Sequence, residues 1–161
     1  MTPDLDTAIE LIGKLGRERF ADRAAANDLE ARFPFENYAD LRDHGFLALC
    51  VPERHGGMGA SFRDYMLVAA ELGRHDGATA LTFNMHSVSM LWSSVLCDDL
   101  DLEPAVRDEH EARRARIYRR VVQDGVLYAQ PFSEPGSKLA AGAPVWETTA
   151  TPVDGGWLLN G

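Results

Sequence analysis

Hydrophobic side chains recur at helical spacing along the first part of the chain. Leu5, Ile9, Ile12 and Leu15 stand three or four residues apart with charged residues between them, which predicts a helix from residue 4 to about residue 31. The same spacing, with start and stop signals at its ends, predicts further helices. These cover residues 36–44, 61–73, 78–96 and 104–124.

Capping residues support these helix ends. Gly45 is well placed as the C-terminal cap of the helix over 36–44, and Ser61 with Asp64 forms an S-x-x-D start signal for the next helix. Gly13 and Gly16 interrupt the first helix at a cost of up to about 1 kcal/mol each. A close crossing with another helix would explain both glycines.

The hydrophobic period changes from helical to extended after Gly125. Residues 146–151 are rich in β-branched and aromatic types, and residues 157–159 continue that pattern. Between them, residues 152–156 supply turn chemistry, because an Asp-Gly pair tolerates the positive φ of a tight hairpin. The segment therefore predicts a β-hairpin.

A further turn is predicted at Asn160-Gly161, since Asn-Gly is a strong two-residue hairpin signal. We expect a third strand after it, from a longer chain or from another chain, because an unpaired strand edge is normally covered. The pattern indicates an α + β protein. An all-α helical domain over 1–124 precedes the first strands of a β domain over 125–161.

Composition argues against several functional classes. The formal net charge of -9 disfavours a nucleic-acid-binding protein, which would need a basic face. The apolar runs are too short to span a bilayer, and the acidic start of the chain does not resemble a secretory signal. Cys50 and Cys97 stand alone and the histidines lack metal-ligand spacing. We expect a cytoplasmic protein with two reduced, buried thiols and no metal or membrane partner.

Two segments could be binding sites, and each has a simpler interpretation. The glycines of the 55–59 loop could cradle a phosphate, but the loop lacks the Gly-Lys-Ser/Thr of a P-loop. A tight connection between helices is therefore favoured. The run over 109–116 could be a basic contact patch, but its acidic residues precede its basic ones at i,i+4 spacing. Ion pairs on a solvated helix face are favoured there.

Two helices carry apolar stripes. The stripe of the helix over 61–73 comprises Phe62, Tyr65, Met66, Ala69 and Leu72, and that of the helix over 78–96 comprises Leu81, Met85, Val88, Trp92 and Val95. His86 lies in the second helix and could be a general base, a pocket-lining residue or a buried core residue. The last two roles are favoured, because imidazoles are often buried with one hydrogen bond made.

The segment from Tyr128 to Gly136 carries the sharpest candidate chemistry. Its two prolines and its glycine fix the backbone on either side of Phe132 and Ser133. A rigid turn of this kind can aim backbone N–H groups and a hydroxyl at the polar edge of a planar heterocycle. Ligand sites are commonly built in that way, with a few placed polar groups in an apolar setting.

Motifs in this part of the chain resemble those of the acyl-CoA dehydrogenase family. Ser133-Glu134-Pro135-Gly136 is similar to the family's (T/S)-E-P-G turn, Asp154-Gly155 to its D-G turn, and Leu159-Asn160-Gly161 to its L-N-G strand end. Their order and spacing are also similar.

Upstream segments resemble the same family. Residues 41–46 are similar to its L-x-x-x-G-(F/L) segment, and residues 51–59 to its (V/I)-P-E-x-x-G-G-x-G segment. Residues 65–72 and 83–86 resemble the paired helices that follow. The resemblance covers nearly the whole chain.

The resemblance implies an FAD enzyme that removes hydrogens from the α and β carbons of an acyl-CoA thioester. It implies an electron acceptor such as an electron-transfer flavoprotein, and a homo-oligomer in the full-length form. The β domain would be barrel-like. The C-terminal helical domain, with the glutamate base, would be absent from this chain, so no catalytic residue is expected within it.

Site residues follow from the resemblance by position. The Phe132 backbone and the Ser133 hydroxyl would meet the flavin ring, with Gln130 beside them. The helix over 78–96 would line the acyl pocket. The implied cofactor-binding residues are Gln130, Phe132, Ser133 and Leu139, and the implied substrate-binding residues are Thr79, Phe83, His86, Ser137 and Lys138.

Leu139 departs from the family pattern, which often places there a serine that contacts coenzyme A. Either Ser137 or Lys138 would replace that contact with coenzyme A, Lys138 by binding a phosphate group. Otherwise the substrate would not be a standard acyl-CoA. Two alternatives stay open. One is a flavin-dependent monooxygenase of the same fold that uses a polar pocket residue such as His86. The other is a non-catalytic subunit or fragment that needs a partner.

Overall fold

The computed structural model describes residues 4–93, 98–130 and 147–161. The chain divides into two compact units, Met1–Ala129 and Gln130–Gly161. The first unit is helical, and the second contains a two-stranded antiparallel sheet. The structure therefore confirms the α + β class.

Six α-helices make up the described part of the helical unit. The first two, α1 and α2, are joined by a π-helical turn at Gly16–Phe20 into one continuous helical path, which confirms the predicted long first helix. The helices are α1 (Leu5–Leu15), α2 (Ala21–Leu29), α3 (Phe35–Asp43), α4 (Phe62–Gly73), α5 (Gly77–Ser93) and α6 (Pro104–Asp124).

The predicted caps are present. Ser61 Oγ accepts a hydrogen bond from the Asp64 backbone N–H at 3.3 Å, and the Ser61 N–H donates to Asp64 Oδ2 at 3.1 Å. This reciprocal pair starts α4. Gly45 after α3 and Gly125 after α6 have φ values of +78° and +63°, which glycine adopts without strain.

Helices α1 and α4 cross closely. A Cβ at Gly13 would lie 2.7 Å from Glu71 Oε1, and a Cβ at Gly16 would lie 2.1 Å from His75 Cδ2. A side chain at Gly13 would displace the Glu71 carboxylate, and one at Gly16 would displace the His75 imidazole that follows α4. The crossing that would explain these two glycines is therefore confirmed.

The segment over 46–51 lies at the centre of the helical unit, and all of its residues are buried. It begins as a short 3-10 helix, Phe46–Ala48. Burial raises the pKa of the Cys50 thiol to about 12, so the thiol stays protonated, and Cys50 is free as predicted. Cys97 lies outside the described residues.

The apolar stripe predicted for α4 is only partly buried. Tyr65, Val68 and Leu72 face the core, but Phe62 is 60% exposed and Met66 is 47% exposed. Val68, which the predicted stripe omitted, is wholly buried. The inward face is therefore rotated from the predicted one, since the neighbouring segments decide which side of an apolar helix is covered.

The glycine-rich loop is a tight connection, as favoured. The backbone N–H groups of Met58, Gly59 and Ala60 donate to the carbonyls of residues 48, 51 and 49 at 3.0, 2.8 and 2.9 Å. A Cβ at Gly57 would lie 2.1 Å from the Val51 carbonyl oxygen. These amides are used within the fold, so they do not form a phosphate cradle.

The solvated face predicted for the 109–116 run is wrong at Arg114. The Arg113–Glu109 pair lies on the surface as predicted, but the Arg114 side chain is only 3% exposed. It donates to Glu111 Oε2 at 2.8 Å and to Asp98 Oδ1 at 2.5 Å. Position 114 lies on the inward face of α6, so its charge is compensated by these two carboxylates.

The second unit contains the predicted hairpin. Strands β1 (Thr149–Val153) and β2 (Gly156–Asn160) are antiparallel, and Val153 pairs with Gly156 across the turn. Gly155, in the turn, has a φ of +80°, which glycine adopts without strain. The turn is shorter than predicted, because Pro152 and Val153 belong to β1.

Two kinds of feature are absent from the described ranges. None of the helices there combines the length and apolar character that crossing a membrane needs. The same residues bring together no group of three histidine, cysteine, aspartate or glutamate side chains that could hold a metal ion.

Candidate functional site

Helix α5 carries the three predicted substrate-binding residues that the structure describes. Thr79, Phe83 and His86 are 0%, 0% and 1% exposed, and their spacing places them on one face of the helix. That face is turned into the core of the helical unit. Their role in lining an acyl pocket stays a prediction.

The opposite face of α5 is also apolar. Leu81 is 64% exposed and Trp92 is 48% exposed, while Met85 and Val88 between them are half-buried. These residues share one face, as predicted, but that face is turned away from the core. Val95 lies outside the described residues. We call Leu81, Met85, Val88 and Trp92 the outer stripe of α5.

Thr79 is held in a buried polar network at the start of α5. Its N–H donates to Asp76 Oδ1 at 3.0 Å and its hydroxyl donates to Asp76 Oδ2 at 2.9 Å. Asn37 Nδ2 donates to Thr79 Oγ1 and to Asp76 Oδ2, each at 2.9 Å. Asp76 therefore caps the helix, and Thr79 fastens it to α3.

The network extends from Asn37 to a charged cluster. Asn37 Oδ1 accepts from Arg23 Nη1 at 2.9 Å, and the same nitrogen donates to Asp40 Oδ2 at 2.7 Å. Arg19 bonds the other Asp40 oxygen. Burial opposes charge on Asp40, but the hydrogen bonds from Arg23 and Arg19 outweigh it and lower the pKa of this carboxyl. The cluster locks α3 against the first helical path.

His86 joins α5 to two other segments. Its Nε2 lies 2.8 Å from the Leu47 carbonyl oxygen, and its Nδ1 lies 3.1 Å from the backbone nitrogen of Tyr128. A carbonyl only accepts and a backbone N–H only donates. His86 is therefore the neutral tautomer with its proton on Nε2.

This bonding restricts the chemistry of His86. Burial lowers the pKa of the imidazole, and a proton on Nδ1 would face the Tyr128 N–H, which is also a donor. Because one ring nitrogen already donates and the other already accepts, neither is free to take a substrate proton. His86 is buried with both ring nitrogens bonded, which agrees with a core residue and disfavours the general-base role. Its pocket-lining role stays a prediction.

A separate cleft of about 480 Å3 lies between α3, the glycine-rich loop and the end of α6. Arg42 and Asp124 are the charged residues of its lining, and Arg42 Nη2 donates to the Gly125 carbonyl at 3.2 Å. Thr79, Phe83 and His86 are not among its lining residues. We therefore do not place the predicted substrate site in this cleft.

The predicted cofactor residues lie at the start of the second unit. Gln130, at the edge of the described residues, is half-buried. Phe132, Ser133, Ser137, Lys138 and Leu139 lie outside the described residues. Their assignments stay predictions.

Sequence reasoning missed the link between His86 and Tyr128 and the outward direction of the stripe. The first joins residues that are 42 positions apart, and no local pattern signals it. For the second, spacing shows only that the two faces are opposite, because Leu81 follows Thr79 by two residues and is thus rotated from it by about 200°. A helix that is apolar on two opposite faces must use the second face for something other than this core.

Comparison with known proteins identifies the family. The family model for the N-terminal domain of acyl-CoA dehydrogenases matches residues 2–96. YdbM of Bacillus subtilis, whose name assigns it to the acyl-CoA dehydrogenases, is 31% identical over 153 residues, which is 95% of this chain and 37% of YdbM.

Other similar proteins are named for oxygenation. Isobutylamine N-hydroxylase of Streptomyces viridifaciens is 32% identical over 121 residues, 75% of this chain and 30% of that protein. Dibenzothiophene monooxygenase TdsC of Paenibacillus sp. A11-2, solved with FMN, matches with a TM-score of 0.68 and 22% identity, over 96% of this chain and 34% of that chain. The latter likeness shows the fold alone.

The chain spans about a third of the length of these relatives. The matched region includes α1 to α5, which are the elements that build the helical core and the buried network around Thr79. By its family match, its fold and its relatives, the chain belongs to the acyl-CoA dehydrogenase family.

Proposed function

We propose that this chain is the N-terminal part of an FAD-dependent oxidoreductase that introduces an α,β double bond into an acyl-CoA thioester. The family match and the relatives support a flavin oxidoreductase. The outer stripe of α5 supports an apolar substrate, and it is the single observation in the structure that carries the proposal. FAD, rather than FMN, follows from the resemblance of the segment over 130–136.

The outer stripe suits an acyl chain. From Leu81 to Trp92 it runs eleven residues along α5, a length of about 16 Å. Its aliphatic, thioether and indole side chains present apolar surface that water solvates poorly. The inner face of the same helix is anchored by Thr79 and His86, so the stripe is presented on a rigid support.

When bound, the flavin would accept a hydride from the β carbon of the acyl group while a base removes the α proton. The proposed contribution of this chain is to orient the acyl group along α5 and to exclude water from it. Gln130, Phe132 and Ser133 are the proposed flavin contacts, and a donor at the pyrimidine edge stabilises negative charge on the reduced ring. The glutamate base and a protein electron acceptor are proposed to lie outside this chain.

Product analysis tests the proposal. The protein expressed from its whole gene is incubated with acyl-CoA thioesters of several chain lengths and an artificial electron acceptor. Mass spectrometry should detect the loss of two hydrogens from the acyl group without any gain of oxygen. An oxygenated product, or an unchanged thioester with a flavin-loaded protein, would reject dehydrogenation.

A flavin-dependent monooxygenase is the second candidate. The specific observation in its favour is Leu139, which stands where the family often places a serine that contacts coenzyme A. The relatives named for N-hydroxylation and monooxygenation are in accord with it. Reduced flavin would then react rapidly with oxygen and hydroxylate an amine or aromatic compound. His86 is not the residue we would assign to that step, because both of its nitrogens are already bonded.

A further inference from the structure

The cleft between α3, the glycine-rich loop and the end of α6 takes no part in the proposed function. Its volume of about 480 Å3 lies in the range of small-molecule sites in proteins. All of its lining residues belong to the helical unit, and none belongs to the outer stripe of α5. The cleft is therefore a candidate binding site in its own right.

Arg42 is a cation of this cleft without an anionic partner. Its Nη2 donates to the Gly125 carbonyl at 3.2 Å, and it forms no ion pair with any residue in the described ranges. A Cβ at Gly125 would lie 2.3 Å from Arg42 Nε, so the arginine lies directly against the backbone there. The guanidinium is thus held in place while its remaining N–H donors are unused by the described residues, and such a fork suits a carboxylate.

Two hydrogen-bond acceptors belong to the same lining. His44 Nδ1 lies 2.8 Å from the Asp40 carbonyl oxygen, which only accepts, so Nδ1 carries the proton and Nε2 of the neutral ring is an acceptor. Asp124 ends α6, where the last carbonyls of the helix add partial negative charge. Within the described part of the chain, neither Nε2 nor the Asp124 carboxylate has a partner. Together they suit an ammonium group.

Apolar side chains complete the lining of the cleft. Leu47 and Val121 belong to the buried core, while Met58 is half-buried and Val122 is partly exposed. An aliphatic group placed against these side chains would lose contact with water, which favours binding. The cleft therefore combines one cation, one anion and an apolar surface.

We propose that this cleft binds a free amino acid with an aliphatic side chain. Arg42 binds the carboxylate of the ligand, and Asp124 with His44 binds its ammonium group. A plain fatty acid or a plain amine is the poorer ligand, because each would leave one charged group of the cleft without its partner. The inference does not rest on the proposed function.

Isothermal titration calorimetry with three related compounds tests the ligand class. The protein expressed from its whole gene is titrated with L-norleucine, with hexanoate, which lacks the ammonium group, and with pentylamine, which lacks the carboxylate. Norleucine should bind saturably, and each of the other two should bind about tenfold more weakly or less, the effect of one lost charged hydrogen bond. No saturable binding of norleucine, or an equal affinity for hexanoate, would overturn the inference.

Two substitutions test the assigned contacts. Arg42→Met removes the guanidinium and should weaken the binding of both norleucine and hexanoate about tenfold. Asp124→Asn removes the negative charge, so it should weaken norleucine but not hexanoate and thereby reduce the preference for norleucine. Arg113→Met is the matched control, because Arg113 pairs with Glu109 at the surface of α6 and does not line the cleft. It should leave the affinity for norleucine unchanged.

Thermal unfolding of each variant separates lost binding from lost folding. Arg42→Met also loses the hydrogen bond to Gly125, whereas the Asp124 side chain makes no hydrogen bond within the described residues. Asp124→Asn therefore decides the question if Arg42→Met does not fold. A folded variant of either kind that binds norleucine as tightly as the wild type would overturn the inference.

Discussion

Arg114 donates a hydrogen bond to Asp98 at 2.5 Å from a side chain that is only 3% exposed. Arg113, its neighbour, pairs with Glu109 at the surface, where both side chains are more than 60% exposed. Two adjacent arginines of one helix thus make ion pairs in very different environments. The contrast allows the effect of burial on the contribution of an arginine ion pair to stability to be measured at two neighbouring positions of one helix.

Replacing Arg114 by alanine should lower the free energy of unfolding by about 1–3 kcal/mol. The loss is expected because the buried stem leaves a void and two carboxylates lose their partner; both remain partly exposed, which limits the cost. Arg113→Ala should change stability by less than about 0.5 kcal/mol. Urea unfolding of the two variants measures both, and equal losses would contradict the burial of Arg114.

The close approach of His75, just after α4, to the π-helical turn predicts a steric cost at Gly16. An alanine methyl group there would lie 2.1 Å from His75 Cδ2, so Gly16→Ala should destabilise the protein by about 1–3 kcal/mol despite the better helix propensity of alanine. A methyl group at Gly77 would have nothing within 4 Å. Gly77→Ala should therefore be neutral or slightly stabilising. Thermal unfolding of the Gly16→Ala and Gly77→Ala variants measures both changes in stability.

Local signals in the sequence predicted the helix ends well. Gly45, Gly125 and the Ser61–Asp64 pair act on the backbone within a few residues of themselves, so their effect hardly depends on the rest of the fold. The Asp154–Gly155 turn is local in the same sense. The predictions of these caps and turns are confirmed because the physical causes lie within a few neighbouring residues of the sequence.

The direction of α5 was not predictable in this way. Its two faces are both apolar, and the choice between them depends on Leu47 and Tyr128, which lie about forty residues away on either side. The same holds for Arg114, whose burial depends on how α6 lies against the core. The ion-pair spacing of residues 109–116 predicted a solvent-exposed helix face, but the packing of α6 against the core buries Arg114.

The outer stripe of α5 predicts where an acyl chain binds. Leu81→Asp should raise the KM for a long-chain acyl-CoA about tenfold or more. The substitution places a carboxylate on the surface where the acyl chain of the substrate is proposed to be shielded from water. Leu29→Asp is the control, since Leu29 is 88% exposed on α2 and outside the stripe. Steady-state kinetics compare the two, and a similar KM for both variants would argue against the stripe as the acyl surface.

His86 predicts a dependence of stability on pH. Burial lowers the pKa of His86 in the folded protein, while the unfolded chain takes up its proton near the ordinary value of about 6.5. Between these two values the unfolded state binds more protons, so the free energy of unfolding rises with pH. The contribution is fully present above about pH 6.5 and is lost as the pH falls through the lowered folded value.

Urea unfolding between about pH 7.5 and pH 5.5 checks this prediction. The wild type should lose stability on acidification, and His86→Asn should lose less. Burial also lowers the pKa of His55, with Arg54 and Arg114 adding to the shift, but His55 is present in both proteins, so its effect cancels in the difference. Identical pH profiles would show that His86 does not carry the dependence.

Anaerobic titration with an acyl-CoA thioester tests the central claim most directly. The protein expressed from its whole gene is loaded with FAD, and its visible flavin absorbance is followed as thioester is added in the absence of oxygen. The account predicts that the absorbance bleaches in proportion to the thioester added and that an enoyl-CoA is formed. A flavin that stays oxidised at saturating thioester, or a protein that retains no flavin, would contradict it.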